Sequence, residues 1–154
     1  WDVDVDVAQS LVASDPNEEI YFSGDGPPKL TDATLALPAT PGPAAWRTLG
    51  VPKPATQMAP PSVLAAGTGT TESRVYIDTF VNSRSRESAP GIPRFFTCPA
   101  GSTATLTGLS SVPGGSHDIA LRRIDCSTDG GAYLRVVEQL AAPTTATDNR
   151  AHKP

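Results

Sequence analysis

The chain has 154 residues, 38% of them apolar, and a net charge of −4, so it is long enough for one domain with appendages and a modest core. Nothing in it is basic enough to follow a nucleic-acid backbone, and it has no run of 18 apolar residues that would span a membrane. We therefore expect neither nucleic-acid binding nor membrane insertion.

The first residues alternate between apolar and acidic side chains, which predicts a half-buried β-strand. Trp1, Val3, Val5 and Val7 share one face, and Asp2, Asp4 and Asp6 share the other. Carboxylates in a row repel one another unless a cation neutralises them, and Ca²⁺ prefers oxygen ligands. Asp2, Asp4 and Asp6 are therefore candidate ligands of a calcium ion. A solvated acidic face and a salt-bridged face are the alternatives.

Short alternating segments bounded by glycine and proline follow along the chain. They cover residues 19–23, 31–37, 73–81, 94–98, 104–109, 117–125 and 132–140. This spacing predicts an all-β fold, either an antiparallel β-sandwich or jelly roll or a small barrel, with at least six strands. It also predicts no helix longer than about ten residues.

Residues 38–61 contain seven of the 16 prolines, which predicts a long loop because proline cannot donate to a sheet ladder. Four apolar side chains lie inside it, Trp46, Leu49, Val51 and Met58. They indicate that the loop packs on the protein surface, and Trp46 and Leu49 are expected to be its main anchors. Trp46 is alternatively a platform on which a sugar could stack.

The two cysteines, Cys98 and Cys126, each lie beside a predicted strand. They are a candidate disulfide, with two unpaired buried thiols as the alternative. His117 lies beside Asp118 and close to several serines, but no nucleophile elbow accompanies it. The sequence therefore predicts no catalytic activity and no cofactor beyond the possible Ca²⁺.

The polar segment 82–90 joins two well-patterned strands and carries Arg84, Arg86 and Glu87. Loops of this kind carry binding residues when a rigid sheet presents them. These three residues are candidate receptor-binding residues, and a solvated loop without function is the alternative.

A resemblance to a viral family rests on the first residues. The sequence Trp1-Asp-Val-Asp-Val-Asp-Val-Ala8, then Leu11-Val12 and Asp15-Pro-Asn-Glu-Glu19, resembles the end of the shell domain in capsid proteins of small icosahedral RNA viruses of the nodavirus and tombusvirus type. The resemblance implies a closing shell strand (1–13), a hinge (14–19), a protruding β-domain (20–140) and a polar C-terminal tail (141–154).

For function, the resemblance implies a structural protruding (spike) domain on the virion surface. Such a domain would contact copies of itself as a dimer or trimer and attach to a host cell-surface receptor or glycan. The alternative function is a secreted bacterial β-sandwich module that binds carbohydrate or protein. The sequence upstream of this segment would separate the two, through an Arg-rich arm and further shell strands or through a signal peptide.

Overall fold

The structure, a computed structural model, describes residues 4–11, 18–36 and 45–149, and the statements below concern these residues. The strands are β1 (Asp6–Gln9), β2 (Ile20–Gly24), β3 (Gly26–Thr31), β4 (Arg47–Thr48), β5 (Ser62–Ala65), β6 (Thr71–Asn82), β7 (Arg94–Pro99), β8 (Thr103–Leu106), β9 (Ile119–Thr128), β10 (Leu134–Leu140) and β11 (Ala146–Asp148). One short helix, α1 (Ala33–Ala36), accompanies them. The predicted all-β fold is confirmed, with three antiparallel sheets that are consistent with a β-sandwich and form no closed barrel in the described part of the chain.

The chain forms two compact units. Unit 1 consists of Trp1–Gly50 together with Gly114–Asp118, and unit 2 of Val51–Pro113 together with Ile119–Pro154. Unit 1 holds one sheet in the order β1-β2-β3-β4. Phe22 and Leu30 are its buried apolar side chains among the described residues.

Arg47 joins the two parts of unit 1. Its guanidinium lies 3.2 Å from Asp32 Oδ2 and 3.1 Å from Asp118 Oδ2. A backbone hydrogen bond from Thr48 N to Ser116 O, 2.9 Å long, adds to this connection. The short segment 114–118 is therefore fixed to unit 1 although it lies more than 60 residues along the chain from β4.

The predicted strand at 31–37 is wrong. Strand β3 ends at Thr31, and α1 follows it. Asp32 causes the change, because its Oδ1 accepts hydrogen bonds from the backbone N–H groups of Thr34 and Leu35, each 3.0 Å long. An aspartate that satisfies these otherwise unpaired N–H groups is a favourable helix N-cap.

Unit 2 packs two sheets, in the orders β10-β9-β6-β7 and β11-β8-β5. Its apolar core draws on both sheets, which is the arrangement of a sandwich. The core residues are Met58, Tyr76, Leu106, Leu109, Ile124, Cys126, Val136 and Ala146. The central strand β6 pairs with β7 on one side and with β9 on the other.

The Pro-rich passage is only partly as predicted. Residues 37–44 lie outside the described residues, and 49–61 carry no strand or helix, as expected for a loop. The expected anchors are wrong, because Trp46 and Leu49 are 43% and 42% exposed. Met58 and Pro54 are the fully buried side chains instead. The passage is thus held through its second half, where the chain enters the core of unit 2.

The division into shell strand, hinge, protruding domain and tail stays a prediction, and residues 12–17 of the hinge region lie outside the described residues. Within this chain, β1 pairs with β2, which places it in the sheet of unit 1. The region expected to be a tail contains β11, which pairs with β8. Strand β11 has only three residues, of which Ala146 and Asp148 are buried, so its alternation is too short to recognise in the sequence.

Candidate functional site

The segment 82–90 is an ordered turn. The side chain of Asn82 holds it, because Asn82 Oδ1 accepts from the backbone N–H groups of Arg84 (3.1 Å) and Arg86 (2.9 Å). The Asn82 N–H in turn donates to the Arg86 carbonyl at 3.0 Å, and the Ser88 N–H donates to Phe80 O at 2.9 Å. Arg84 and Arg86 are half-buried on this turn. The structure therefore presents the two candidate cations from a fixed backbone.

Glu87 is engaged within the protein. Its carboxylate accepts from Thr79 Oγ1 at 2.5 Å and from Arg123 Nη1 at 2.7 Å. Burial by itself would raise the pKa of Glu87, but the hydrogen bonds from Thr79 and Arg123 outweigh it and lower this pKa. Glu87 is thus a charged part of the scaffold that holds the turn against β6 and β9.

Arg123 links the turn to the outer face of the sheet β10-β9-β6-β7. Its Nε donates to Glu138 at 2.8 Å, and Arg135 lies 3.6 Å from both Glu138 and Asp125. Exposed ion pairs of this kind contribute little to stability individually. They do fix the direction in which each charged side chain points.

The row of N-terminal carboxylates is exposed where it is described. Asp4 precedes β1 and Asp6 is its first residue, and both side chains lie at the surface. Asp2 lies outside the described residues. The described residues contain no group of three or more histidine, cysteine or acidic side chains that could hold a metal. The calcium site therefore stays a prediction.

The candidate disulfide is not formed, and Cys98 and Cys126 are buried free thiols. The strand register explains this, since Cys98 lies opposite Glu72 on one side of β6 and Cys126 lies opposite Tyr76 on the other. Four residues along a strand and two strand spacings separate their Cα atoms by about 16 Å. A disulfide requires about 4.4–6.8 Å.

Burial changes the acidity of both thiols. It raises the pKa of Cys126 to about 11, and it also raises the pKa of Cys98, against the opposing effect of Arg74. Since the thiolate is the reactive form, both cysteines are poor nucleophiles at neutral pH.

A buried polar network occupies the interior of unit 2, and sequence reasoning missed it. Arg74 Nε donates to Glu72 at 2.6 Å, Arg74 Nη2 donates to the carbonyl of Ser102 at 2.9 Å, and Arg74 Nη1 lies 3.5 Å from Asp148 Oδ2. The Tyr76 hydroxyl donates to Asp148 at 2.8 Å. Arg74, Tyr76 and Asp148 are all fully buried.

Burial and hydrogen bonds within the network set the protonation states of Tyr76 and Arg74. Burial raises the pKa of Tyr76 above its ordinary value, which keeps the hydroxyl protonated as a donor. Burial alone would lower the pKa of Arg74, but the hydrogen bonds to Tyr76 and Glu72 raise it overall. The network is therefore a structural element of the core, in which one guanidinium contacts both carboxylates.

The residues considered for nucleophilic catalysis make other contacts. His117 Nδ1 lies 3.2 Å from the carbonyl of Gly50, and Asp118 pairs with Arg47. The Ser110 hydroxyl accepts from the backbone N–H of Thr56 at 2.9 Å. His117 and Asp118 belong to unit 1, whereas Ser110 belongs to unit 2.

Unit 1 contains an open cleft of about 270 Å³ beside its sheet. Val7, Phe22 and Leu49 supply apolar walls, and Asp6, Ser23 and Lys29 supply polar groups. The Lys29 ammonium lies 4.7 Å from the centre of the Trp46 ring. The sequence indicated Trp46 as a possible sugar platform, but Lys29 carried no signal that placed it over this ring.

No protein-family model, curated protein or solved structure matches this chain. In the described part of the chain, no helix has the length and apolar character needed to cross a bilayer.

Proposed function

We propose that this chain is the protruding domain of a capsid protein from a small non-enveloped icosahedral virus, and that it attaches the particle to a host surface. The observation that supports this proposal best is the turn 82–90. It is held by Asn82 and Ser88 against the long strand β6 and presents Arg84 and Arg86 from a fixed backbone. A turn with a fixed backbone loses little backbone entropy on binding, and its two arginines favour an anionic partner.

The double variant Arg84→Ala/Arg86→Ala tests this proposal. We expect binding of the labelled protein to cultured host cells and to a glycan array to fall by about tenfold, a loss of about 1.4 kcal/mol. Wild-type binding should also weaken as salt rises, because exposed charges are screened within about 8 Å at physiological ionic strength. Titration of binding against salt concentration for both proteins gives this comparison.

Lys53→Ala is the matched control, since Lys53 is an exposed cation of the same unit outside the turn. Its binding should equal that of the wild type. Equal binding by the double variant and the wild type would remove the turn from the attachment surface.

The second candidate function is a secreted β-sandwich module that binds carbohydrate. The exposed Trp46 beside the cleft of unit 1 favours it, because aromatic rings are common in sugar sites and here one is 43% exposed. The gene sequence upstream of this segment separates the two functions. If an Arg-rich arm and seven further shell strands precede this segment, the capsid function is supported. If a signal peptide and a catalytic domain precede it, the secreted carbohydrate-binding module is supported.

A further inference from the structure

Four side chains lie in register across the sheet of unit 1. Val7 is opposite Phe22, Phe22 is opposite Lys29, and Lys29 is opposite Thr48. Directly opposed residues of antiparallel strands project from the same face. Val7, Phe22, Lys29 and Thr48 therefore form one transverse row, with a cation between an aromatic ring and a hydroxyl.

Lys29 is held in place within this row. Its ammonium is 2.9 Å from Asp25 Oδ2, 4.7 Å from the Trp46 ring centre and 5.9 Å from the Phe22 ring centre. The Lys29 side chain is only 12% exposed, whereas that of Asp25 is 57% exposed. The ion pair and the two rings thus fix the position of a donor next to an accessible acceptor.

The cleft beside the row has the dimensions of a small-ligand site. Its volume of about 270 Å³ lies just below the range of about 300–1,000 Å³ that is common for such sites. Its walls are mostly apolar, and one of its lining residues, Lys29, has its ammonium 4.7 Å from the ring centre of Trp46, which is 43% exposed. A compact ligand with one apolar face and several hydroxyl groups matches this combination.

We propose that the cleft of unit 1 binds a neutral saccharide. The C–H face of a pyranose ring can pack on Trp46 and Leu49, which removes apolar surface from water. Its hydroxyls can donate to the carboxylates of Asp25 and Asp6 and accept from Lys29, since each group has the required hydrogen-bonding role. Charge-assisted hydrogen bonds of this kind are stronger than neutral ones.

The local charge selects a neutral sugar over an acidic one. Asp6 lines the cleft, and Asp25 pairs with the lining residue Lys29, so two carboxylates stand near one ammonium and the local charge is negative. A sialic or uronic acid would bring a further carboxylate and be repelled. This inference deepens the attachment function and rests on it for its biological role, while saccharide binding by the cleft is measured independently of the turn 82–90.

The test uses tryptophan fluorescence of the full chain. Trp1→Phe leaves Trp46 as the remaining tryptophan of the two in the sequence. Lactose, maltose, cellobiose and N,N′-diacetylchitobiose serve as neutral probes, and sialyllactose as the acidic counterpart. We expect at least one neutral disaccharide to change the Trp46 emission saturably, with a Kd of about 1 mM, and to bind more tightly than sialyllactose.

Variants then locate the site. Heteronuclear NMR measures saccharide binding by the variants. Trp46→Ala should weaken this binding by at least about tenfold, and Trp46→Phe should retain most of it. Asp25→Asn should also weaken binding, because the charged acceptor is lost while the side-chain shape is kept. Tyr133→Ala is the control, since Tyr133 has a similar exposure of 47% but belongs to unit 2. Amide spectra of every variant confirm that it is folded.

Three outcomes would overturn the inference. They are the absence of saturable binding by all four neutral disaccharides up to about 50 mM, unchanged binding by folded Trp46→Ala, and tighter binding of sialyllactose than of every neutral disaccharide. The variants of the turn 82–90 separate this result from the attachment proposal. Loss of cell binding in Arg84→Ala/Arg86→Ala with retained saccharide binding would leave the cleft as a distinct site.

Discussion

Individual charged residues determine how the core of unit 2 is built. Strand β6 alternates Val75, Ile77, Thr79 and Val81 on one face with Arg74, Tyr76, Asp78 and Phe80 on the other. Hydrophobicity alone would favour the first face for the interior, yet the structure buries the second face almost completely. The reason is that a buried charge is tolerated when it is paired and hydrogen-bonded.

Arg122 follows the same rule on the neighbouring strand β9. Its guanidinium donates to the carbonyls of Ser110 and Pro143, lies 3.8 Å from Asp78, and stands 5.0 Å from the centre of the Phe80 ring. Burial raises the pKa of Asp78 and lowers that of Arg122, while each charge opposes the shift of the other. Two arginines are thereby accommodated in one small core.

The first stability prediction concerns Arg74. Arg74→Met leaves the carboxylates of Glu72 and Asp148 buried without their cation, so we expect the free energy of unfolding to fall by about 3–5 kcal/mol. Urea unfolding measured by circular dichroism gives this value. Arg135→Met is the control, because the Arg135 side chain is 41% exposed, and it should change stability by less than about 1 kcal/mol. Similar losses in both variants would contradict a special role for the buried network.

At the scale of elements, the long strands were predictable and the short ones were not. Period-two alternation located β6, β7, β9 and β10, which form one complete sheet. Strands β4 and β11 have two and three residues, too few for any period to show. Strand β3 begins Gly-Pro-Pro, a sequence that favours a turn, and it is a strand because β2 and β4 pair with it.

The Gly-rich segment 67–71 shows how a loop acquires a packing role. It lies against the turn between β7 and β8. Gly67 N donates to Ser102 Oγ at 2.9 Å, and Ala100 N donates to Thr70 O at 2.8 Å. A Cβ atom added to Gly67 would meet the carbonyl oxygen of Ala100 at 2.0 Å.

Gly67→Ala should therefore be destabilising. The clash is between backbone segments, so the segment at Gly67 would have to move away from the turn between β7 and β8. We expect a loss of about 1–3 kcal/mol in the free energy of unfolding. Gly114→Ala is the control, because no atom lies within 4 Å of the added Cβ, and its effect should stay within about 0.5 kcal/mol. Thermal unfolding of the two variants compares them directly, and a fully stable Gly67→Ala would show that this contact is loose.

At the scale of the whole molecule, several apolar side chains remain at the surface. Phe95 on β7 is 73% exposed and Leu140 on β10 is 69% exposed. Each pairs with an apolar residue on the same outer face of the sheet, Val75 for Phe95 and Leu121 for Leu140. Exposed apolar area of this kind is a common feature of interaction surfaces.

We expect the protein to associate with itself as a dimer or trimer, as the spike interpretation implies. Phe95→Ser should shift sedimentation velocity profiles toward the monomer, because it removes apolar area from β7. Tyr133→Ser, at 47% exposure, serves as the control and should leave the profile unchanged. A wild-type monomer at high protein concentration would count against self-association.

The sequence by itself determined the all-β class and the strands of the main sheet, whereas the segment 82–90, expected to be a flexible loop, is an ordered turn because Asn82 and Ser88 hold it. Alternation and turn composition act between near neighbours, so they can be recognised along the chain. Tertiary structure decided which face of β6 is buried, that Cys98 and Cys126 lie too far apart to bridge, and that Lys29 stands over Trp46. Each of these depends on residues distant in sequence. Arg74 is buried because it pairs with Asp148, and the thiols are kept apart by the register of β6 with β7 and β9. Lys29 reaches Trp46 because β3 pairs with β4. Such pairings are fixed only when the sheets assemble, because a single strand does not specify its neighbour.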